Sequence, residues 1–185
     1  MRRRDFLAFA GGAAVAAPSP TVAQQTGEPR RIGVLCSTTC AEPSFDSFRQ
    51  ALRSLGYREG QNVEILYREA EGSVERLPAL ASDLVGRKVD VLVTVWGTAA
   101  DLAAKQASST IPIVAAAVGD PVAAGLVKSL ARPGGNVTGI STLALVLEEK
   151  RLELIKELKP ATNRVAVLWD PDNPYSSLAI ARIEA

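Results

Sequence analysis

The chain has 185 residues, of which 47% are hydrophobic and 22% charged, and its formal net charge is +1. These values are typical of a soluble globular protein and exclude a disordered or fibrous class, and the balanced charge argues against a nucleic-acid partner. Histidine is absent, which removes the commonest general base and the commonest metal ligand, so we expect no catalytic residues, no metal and no cofactor.

The first 23 residues are typical of an export signal. Two arginines at positions 3 and 4 stand one residue before Phe6-Leu7, as in the twin-arginine motif. An apolar run of small residues at 8–17 then leads to Thr21-Val22-Ala23, which suits a signal cleavage site. We therefore predict a signal peptide at 1–23 and a periplasmic protein; the alternative is a basic amphipathic helix.

From Arg30 onward, short apolar runs alternate with amphipathic stretches, a pattern typical of βαβ units on a parallel sheet. Five strands are predicted, at 31–36, 62–67, 89–95, 113–118 and 137–140. The third is almost continuously apolar and β-branched, which places it in the centre of the sheet.

Helices are predicted between these strands from apolar spacing and capping residues. The first ends at Gly56, and the second, at 74–85, begins after Ser73 as its N-cap. A third opens at Gly97-Thr98, where Thr98 and Asp101 have capping-box spacing. A fourth follows Asp120-Pro121, with a buried stripe that runs to Leu130.

One five-stranded unit is complete near residues 141–145, and a second unit begins there. It contains a predicted helix at 145–158, a strand at 165–169 and the first turns of a helix at 177–185. The fold class is therefore predicted to be α/β, a doubly wound parallel sheet. We place the first lobe at 24–143 and the start of an incomplete second lobe at 144–185.

Polar residues follow several predicted strands, and the carboxyl ends of parallel strands form the ligand-binding edge of such sheets. They are Ser37, Thr38 and Thr39, then Gly97 and Thr98, then Asp120, and then residues 170–177. Helix N-termini at this edge suit a carboxylate, and Asp120 suits an ammonium, so an amino-acid-like solute fits. The alternative for each residue alone is ordinary helix capping.

Two side-chain types near this edge leave alternatives open. Cys36 and Cys40 are either a disulfide or two unbonded thiols beside a strand end. Trp96, Trp169 and Tyr175 are either packing residues of the core or rim, or walls that stack on an apolar solute.

A long motif resembles a known family. It runs from Ile111-Pro112-Ile113-Val114 through Val118-Gly119-Asp120-Pro121-Val122 to Leu130-Ala131-Arg132-Pro133-Gly134-Gly135-Asn136-Val137-Thr138-Gly139, with Asp172-Asn173-Pro174 further on. These residues are similar to those of bacterial ABC-transporter substrate-binding proteins with the type I periplasmic-binding fold.

The resemblance implies two α/β lobes joined by a hinge, with a small solute, in some members an aromatic amino acid, held between them. It implies delivery to an ABC permease in the inner membrane. The matching contacts are Ser37 or Thr38, Thr98, Asp120 and, from the second lobe, Asn173. We expect the protein to act as a monomer.

Three other interpretations are weighed against this one. An exported hydrolase-like α/β enzyme needs a nucleophile with a base in reach, but no G-x-S-x-G elbow occurs. A repressor effector domain would follow a helix-turn-helix, where this chain has an export signal. A truncated, non-functional copy is the third interpretation, because the second unit stops after its first elements.

Overall fold

A computed structural model of the chain describes residues 28–40 and 44–184. The predicted signal peptide at 1–23 lies outside the described residues. None of the helices within these two ranges combines the length and the apolar character needed to cross a bilayer.

The described chain is an α/β structure built on one parallel sheet. Its strands are β1 (Arg30–Cys36), β2 (Val63–Glu69), β3 (Val91–Val95), β4 (Ile113–Val118) and β5 (Val137–Ser141). Its helices are α1 (Ser44–Ser54), α2 (Leu77–Gly86), α3 (Thr98–Ala107), α4 (Ala144–Leu158) and α5 (Pro174–Glu184), and a 3-10 turn at Val74–Arg76 precedes α2. The strand order is β2-β1-β3-β4-β5, with β3 in the centre as predicted.

Helices cover both faces of the sheet, which makes it doubly wound. On one face, Phe45 of α1 packs in a buried cluster with Val34 of β1 and Ile65 of β2. On the other face, α2 and α3 pack over Leu92 of β3 and Ile113 of β4. Successive residues of a strand point to opposite faces of the sheet, so each strand can contribute to both clusters. Residues paired on neighbouring strands, such as Val34 and Val93, share a face.

The helix predicted after Asp120 is wrong. Residues 121–125 form a turn instead, in which the Ala124 amide donates to the Asp120 carbonyl at 3.0 Å. Gly125 then adopts a φ of +68°, which a continuing helix does not allow. The Lys105 ammonium of α3 donates to the Gly125 and Leu126 carbonyls and fixes the turn against that helix.

Two further predictions need correction. No strand forms at 165–169, because a strand requires a neighbour to complete its hydrogen bonds and the described part of the second unit provides none. Ser73 precedes the 3-10 turn but makes no side-chain capping bond, and α2 begins only at Leu77.

Candidate functional site

The loops after β1, β3 and β4 lie along one edge of the sheet, because the three strands are neighbours and parallel. This edge carries Ser37, Gly97, Thr98 and Asp120, each directly after or within a few residues of a strand end. The structure thus gathers residues from three predicted clusters on the same side of the molecule.

Ser37 and Gly97 are brought directly together. The Ser37 amide donates to the Val95 carbonyl at 3.1 Å, which extends the β1–β3 ladder beyond its last paired residues. Gly97 has a φ of +128°, and a Cβ added there would lie 3.4 Å from the Ser37 hydroxyl oxygen. That hydroxyl oxygen is buried and has no hydrogen-bond partner among the described residues. None of the residues that the structure describes therefore uses its bonding capacity.

A disulfide joins Cys36 and Cys40, with their Cα atoms 5.7 Å apart, and so closes a short loop around Ser37. The Cys40 amide donates to a Glu69 carboxylate oxygen of β2 at 2.7 Å. Thr38 lies on the β2 side of this loop, where its carbonyl accepts from the Glu71 amide at 3.3 Å and the residue is exposed. Of the two alternatives left open by the sequence, the bonded pair is present.

The predicted capping box at the start of α3 is wrong. Gly97 is the N-cap residue, so Thr98 is the first helical residue and makes no capping bond, and it is buried. Asp101 turns beneath the helix, where one carboxylate oxygen accepts from the Thr94 hydroxyl of β3 at 2.5 Å. Its other oxygen is buried without a partner in the described chain.

Asp101 is 2% exposed, and burial raises its pKa to about 6, against the hydrogen bond from Thr94, which lowers it. A raised pKa in a buried acid reflects the cost of holding a charge away from water. The Asp101 carboxyl thus joins α3 to β3. It makes no described contact with the loops of the edge.

Asp120 has one carboxylate oxygen engaged and one available. Its Oδ1 accepts from the amides of Val122 and Ala123 at 3.0 and 2.9 Å, so it caps the turn that replaces the predicted helix. No described residue bonds its Oδ2. A carboxylate held by its own loop, with one oxygen unused, is pre-positioned for a cationic group.

Asn173 stands at the start of α5. Its side-chain oxygen accepts from the Tyr175 amide at 3.0 Å, so it caps the helix. The Tyr175 ring lies against Gly119, the residue before Asp120. Asn173 is therefore linked to the edge through Tyr175, a contact that the sequence analysis did not identify, because nothing in a single sequence pairs residues so far apart.

Both tryptophans lie outside the core, and Trp96 directly precedes Gly97 of the edge. Trp96 is 52% exposed and Trp169 is 46% exposed. Trp96 has a φ of +66°, the conformation that lets the chain reverse between β3 and Gly97. These exposures exclude packing in the core, while packing at the rim and stacking on a solute both stay predictions.

Cavities also occur at the amino-terminal edge of the sheet and beside the turn after Asp120. One of about 450 Å³ lies at the opposite, amino-terminal edge, lined by Arg30, Arg31, Asn62, Lys88 and Asp90 among others. An apolar one of about 210 Å³ lies between β5 and the turn after Asp120. Within the described ranges, no group of three or more His, Cys, Asp or Glu residues is arranged to hold a metal ion.

Comparisons with known proteins agree with this architecture. Residues 31–183 match the family described as ABC transporter substrate binding protein. A tyrosine-binding protein of Clostridioides difficile (strain R20291) is 36% identical over 155 residues, which cover 82% of this chain and 44% of that protein.

Two solved structures are similar in both sequence and fold. A conserved domain protein of Vibrio cholerae has a TM-score of 0.71 at 35% identity, over 85% of this chain and 53% of that one. An ABC domain in complex with L-Trp, from Streptococcus pneumonia, has a TM-score of 0.68 at 29% identity, over 84% of this chain and 52% of that one.

The chain spans about half the length of these relatives. Its five-stranded parallel sheet is that of a lobe of the type I periplasmic-binding fold, as the motif around Asp120 implied. On the match over residues 31–183, the chain belongs to the ABC transporter substrate-binding protein family.

Proposed function

We propose that this chain contributes the solute-binding edge of a periplasmic ABC-importer component, and that its solute is a small amino-acid-like molecule. The observation that carries this proposal is the grouping of unused polar atoms along one edge of the sheet. Within the described ranges, the Ser37 hydroxyl beside Gly97 is buried without a hydrogen-bond partner, and Asp120, on the loop after β4, keeps one carboxylate oxygen unbonded.

The chemistry of these atoms matches the two ends of an amino acid. Asp120 Oδ2 complements an ammonium, while the Ser37 hydroxyl and the amides at the start of α3 suit a carboxylate, since a helix N-terminus favours negative charge. One strand, β3, separates the two loops, and at ~4.8 Å between neighbouring strands they are about 10 Å apart. The ammonium and carboxylate of an α-amino acid are both bonded to its Cα, so with a hydrogen bond of about 2.9 Å at each end they bridge roughly that distance, whatever the side chain.

The relatives support the solute class. One is a tyrosine-binding protein, and another was solved with L-Trp. In this proposal Asn173 approaches the solute from the second unit, Thr98 contributes its amide at the start of α3, and exposed Trp96 lies beside the solute. The protein binds and releases its solute without chemical change, and an ABC permease in the inner membrane receives it.

Calorimetric titration and thermal-shift screening of the purified protein with the twenty amino acids test the proposal. A solute present at 100 times its Kd raises the free energy of unfolding by roughly 2.7 kcal/mol. We expect a response to at least one amino acid, with the aromatic ones favoured. If no amino acid changes the unfolding midpoint or releases heat, the proposal is wrong.

An Asp120→Asn variant makes this test specific to the site. Asparagine keeps an oxygen that accepts from the Val122 and Ala123 amides, so the turn is preserved while the negative charge is lost. We expect at least tenfold weaker binding. The matched control is Asp46→Asn, which removes an exposed carboxylate of α1 and should leave binding unchanged.

Export is the second part of the proposal, and residues 1–23 support it. A reporter fused behind the first 30 residues is expected in the periplasm, and replacement of Arg3 and Arg4 by lysine is expected to hold it in the cytoplasm. A reporter exported equally well without the arginine pair would count against the twin-arginine route, and one never exported would count against the periplasmic location.

A further inference from the structure

Tyr175 makes a close contact between α5 and the loop after β4. Its ring lies on the backbone of Gly119, and a Cβ placed on Gly119 would overlap the ring atoms Cδ2 and Cε2. The ring therefore fits only because residue 119 has no side chain. No other described glycine has an aromatic ring among the atoms nearest to its added Cβ.

The far end of the same ring is anchored on α4. The Tyr175 hydroxyl donates to a Glu148 carboxylate oxygen at 2.9 Å, and the Arg151 guanidinium binds that oxygen as well. Glu148 is 8% exposed, which makes it one of the few buried charged residues in the described chain. Burial and the Glu148 carboxylate raise the pKa of Tyr175 to about 12, so the phenol keeps its proton, and remains a donor, at physiological pH.

Both ends of this contact adjoin residues of the proposed solute site. Gly119 precedes Asp120 in the chain, and its carbonyl accepts from the Ala144 amide at the start of α4 at 3.1 Å. The Tyr175 amide donates to the side chain of Asn173. The ring thus lies between the loop that holds Asp120 and the helix turn that holds Asn173.

We propose that Tyr175 is a positioning residue for solute binding: seated on Gly119 and anchored on Glu148, it holds Asn173 across from Asp120. This inference rests on the proposed solute site. Tyr175 does not need to touch the solute; its ring sets the distance between two groups that do. Because the ring uses the space that a Cβ at position 119 would fill, the loop and the helix cannot approach in this way unless residue 119 is glycine.

A double-mutant cycle with solute affinity as the readout tests the inference. The variants are Gly119→Ala, Tyr175→Ala and both together, titrated with the amino acid to which the parent protein binds. Each single change removes the same contact, so we expect each to weaken binding about tenfold and the double variant to be no weaker than the single ones. Additive losses would show that the residues act separately and would overturn the inference.

Two controls separate positioning from a general loss of structure. Tyr175→Phe keeps the ring on Gly119 and loses only the hydrogen bond to Glu148, so its affinity is expected to fall by about threefold, less than that of Tyr175→Ala. A loss as large as that of Tyr175→Ala would show that the contact with Gly119 does not position the site. Tyr57→Ala removes a tyrosine that is 38% exposed between α1 and β2 and is expected to leave affinity unchanged.

The outcomes for the two proposals are distinguishable. A parent protein that binds no amino acid contradicts the proposed function itself. A parent that binds, with Gly119→Ala and Tyr175→Ala binding equally well, leaves the function intact and shows that Tyr175 does not position the site.

Discussion

Leu92 and Leu168 belong to similar stretches of sequence and lie in opposite environments. Leu92 is in β3 and is fully buried, while Leu168 is in the apolar stretch at 165–169 and is fully exposed. β3 has a bonded strand on each side and helices on both faces; the stretch at 165–169 has no paired strand among the residues described. Apolar, β-branched composition therefore marks a strand, but only its neighbours bury it.

The largest effect on stability is expected from truncating the buried Leu92. Leu92→Ala removes a buried side chain from the centre of the sheet and should lower the free energy of unfolding by about 3.5 kcal/mol. Leu168→Ala is the matched control and should change it by less than about 0.5 kcal/mol. Urea unfolding measures both, and equal losses would show that the 165–169 stretch is buried in solution.

Asp101, which packs under α3 against the sheet, makes the stability of the protein depend on pH. Its folded pKa of about 6 lies above the ordinary value of 3.8, so the folded state binds more protons between these values. Stability from this group is fully present below about pH 4 and is lost as the pH rises through 6, by about 3 kcal/mol in total. Asp101→Asn keeps an acceptor for Thr94 but cannot titrate, so it should lack this loss.

The comparison of parent and Asp101→Asn at each pH isolates the effect. Asp83 and Asp90 have lowered pKa values, the first through hydrogen bonds from Arg87 and Arg68 and the second through the Arg31 amide. They contribute the opposite slope in both proteins and cancel in the difference. If the difference in free energy of unfolding between parent and Asp101→Asn is constant from pH 4 to pH 7, Asp101 titrates as an ordinary carboxyl.

The Cys36–Cys40 disulfide is expected to have the next largest effect. Closing a loop this short stabilises the folded state by about 2 kcal/mol through the entropy of the unfolded chain. A reducing agent should therefore lower the free energy of unfolding of the parent by that amount and leave a Cys36→Ala, Cys40→Ala variant unaffected. An equal response in both proteins would exclude the disulfide as its source.

The smallest change in the free energy of unfolding is expected for Tyr175, in the second unit. Tyr175→Phe removes the hydrogen bond to Glu148 while keeping the ring, and should lower the free energy of unfolding by about 1 kcal/mol. Tyr57→Phe is the matched control. If urea unfolding finds the two variants equally stable, the hydroxyl of Tyr175 contributes nothing and α5 is held by its other contacts, such as the ion pair of Arg182 with Glu149.

Patterns within short stretches of sequence predicted the strands and the edge at which their loops meet. The central position of β3 followed from its almost continuously apolar sequence, and the shared edge of Ser37, Gly97 and Asp120 followed from the parallel direction of the strands. The helix predicted after Asp120 failed because Gly125 adopts a left-handed conformation. Asp120 still caps amides, but those of a turn, so a capping residue alone does not establish the length of the helix behind it.

Long-range contacts lay beyond what the sequence could predict. Thr98 and Asp101 have capping-box spacing, yet Asp101 is drawn to Thr94 on the underlying strand, and the sequence does not say which partner is nearer. The ring of Tyr175 on Gly119 depends on how α5 docks. Both contacts join separate elements of the fold, and each decides how part of the candidate edge is held.

The buried hydroxyl of Ser37 is unfavourable for folding, because it has no hydrogen-bond partner among the described residues. A polar atom withheld from water without a partner costs roughly 1–3 kcal/mol, so alanine at this position would suit the isolated fold better than serine does. A sequence selected only for foldability would relieve that conflict. Serine beside Gly97 is therefore unfavourable for folding alone, and a hydrogen bond from a solute at the proposed site would offset that cost.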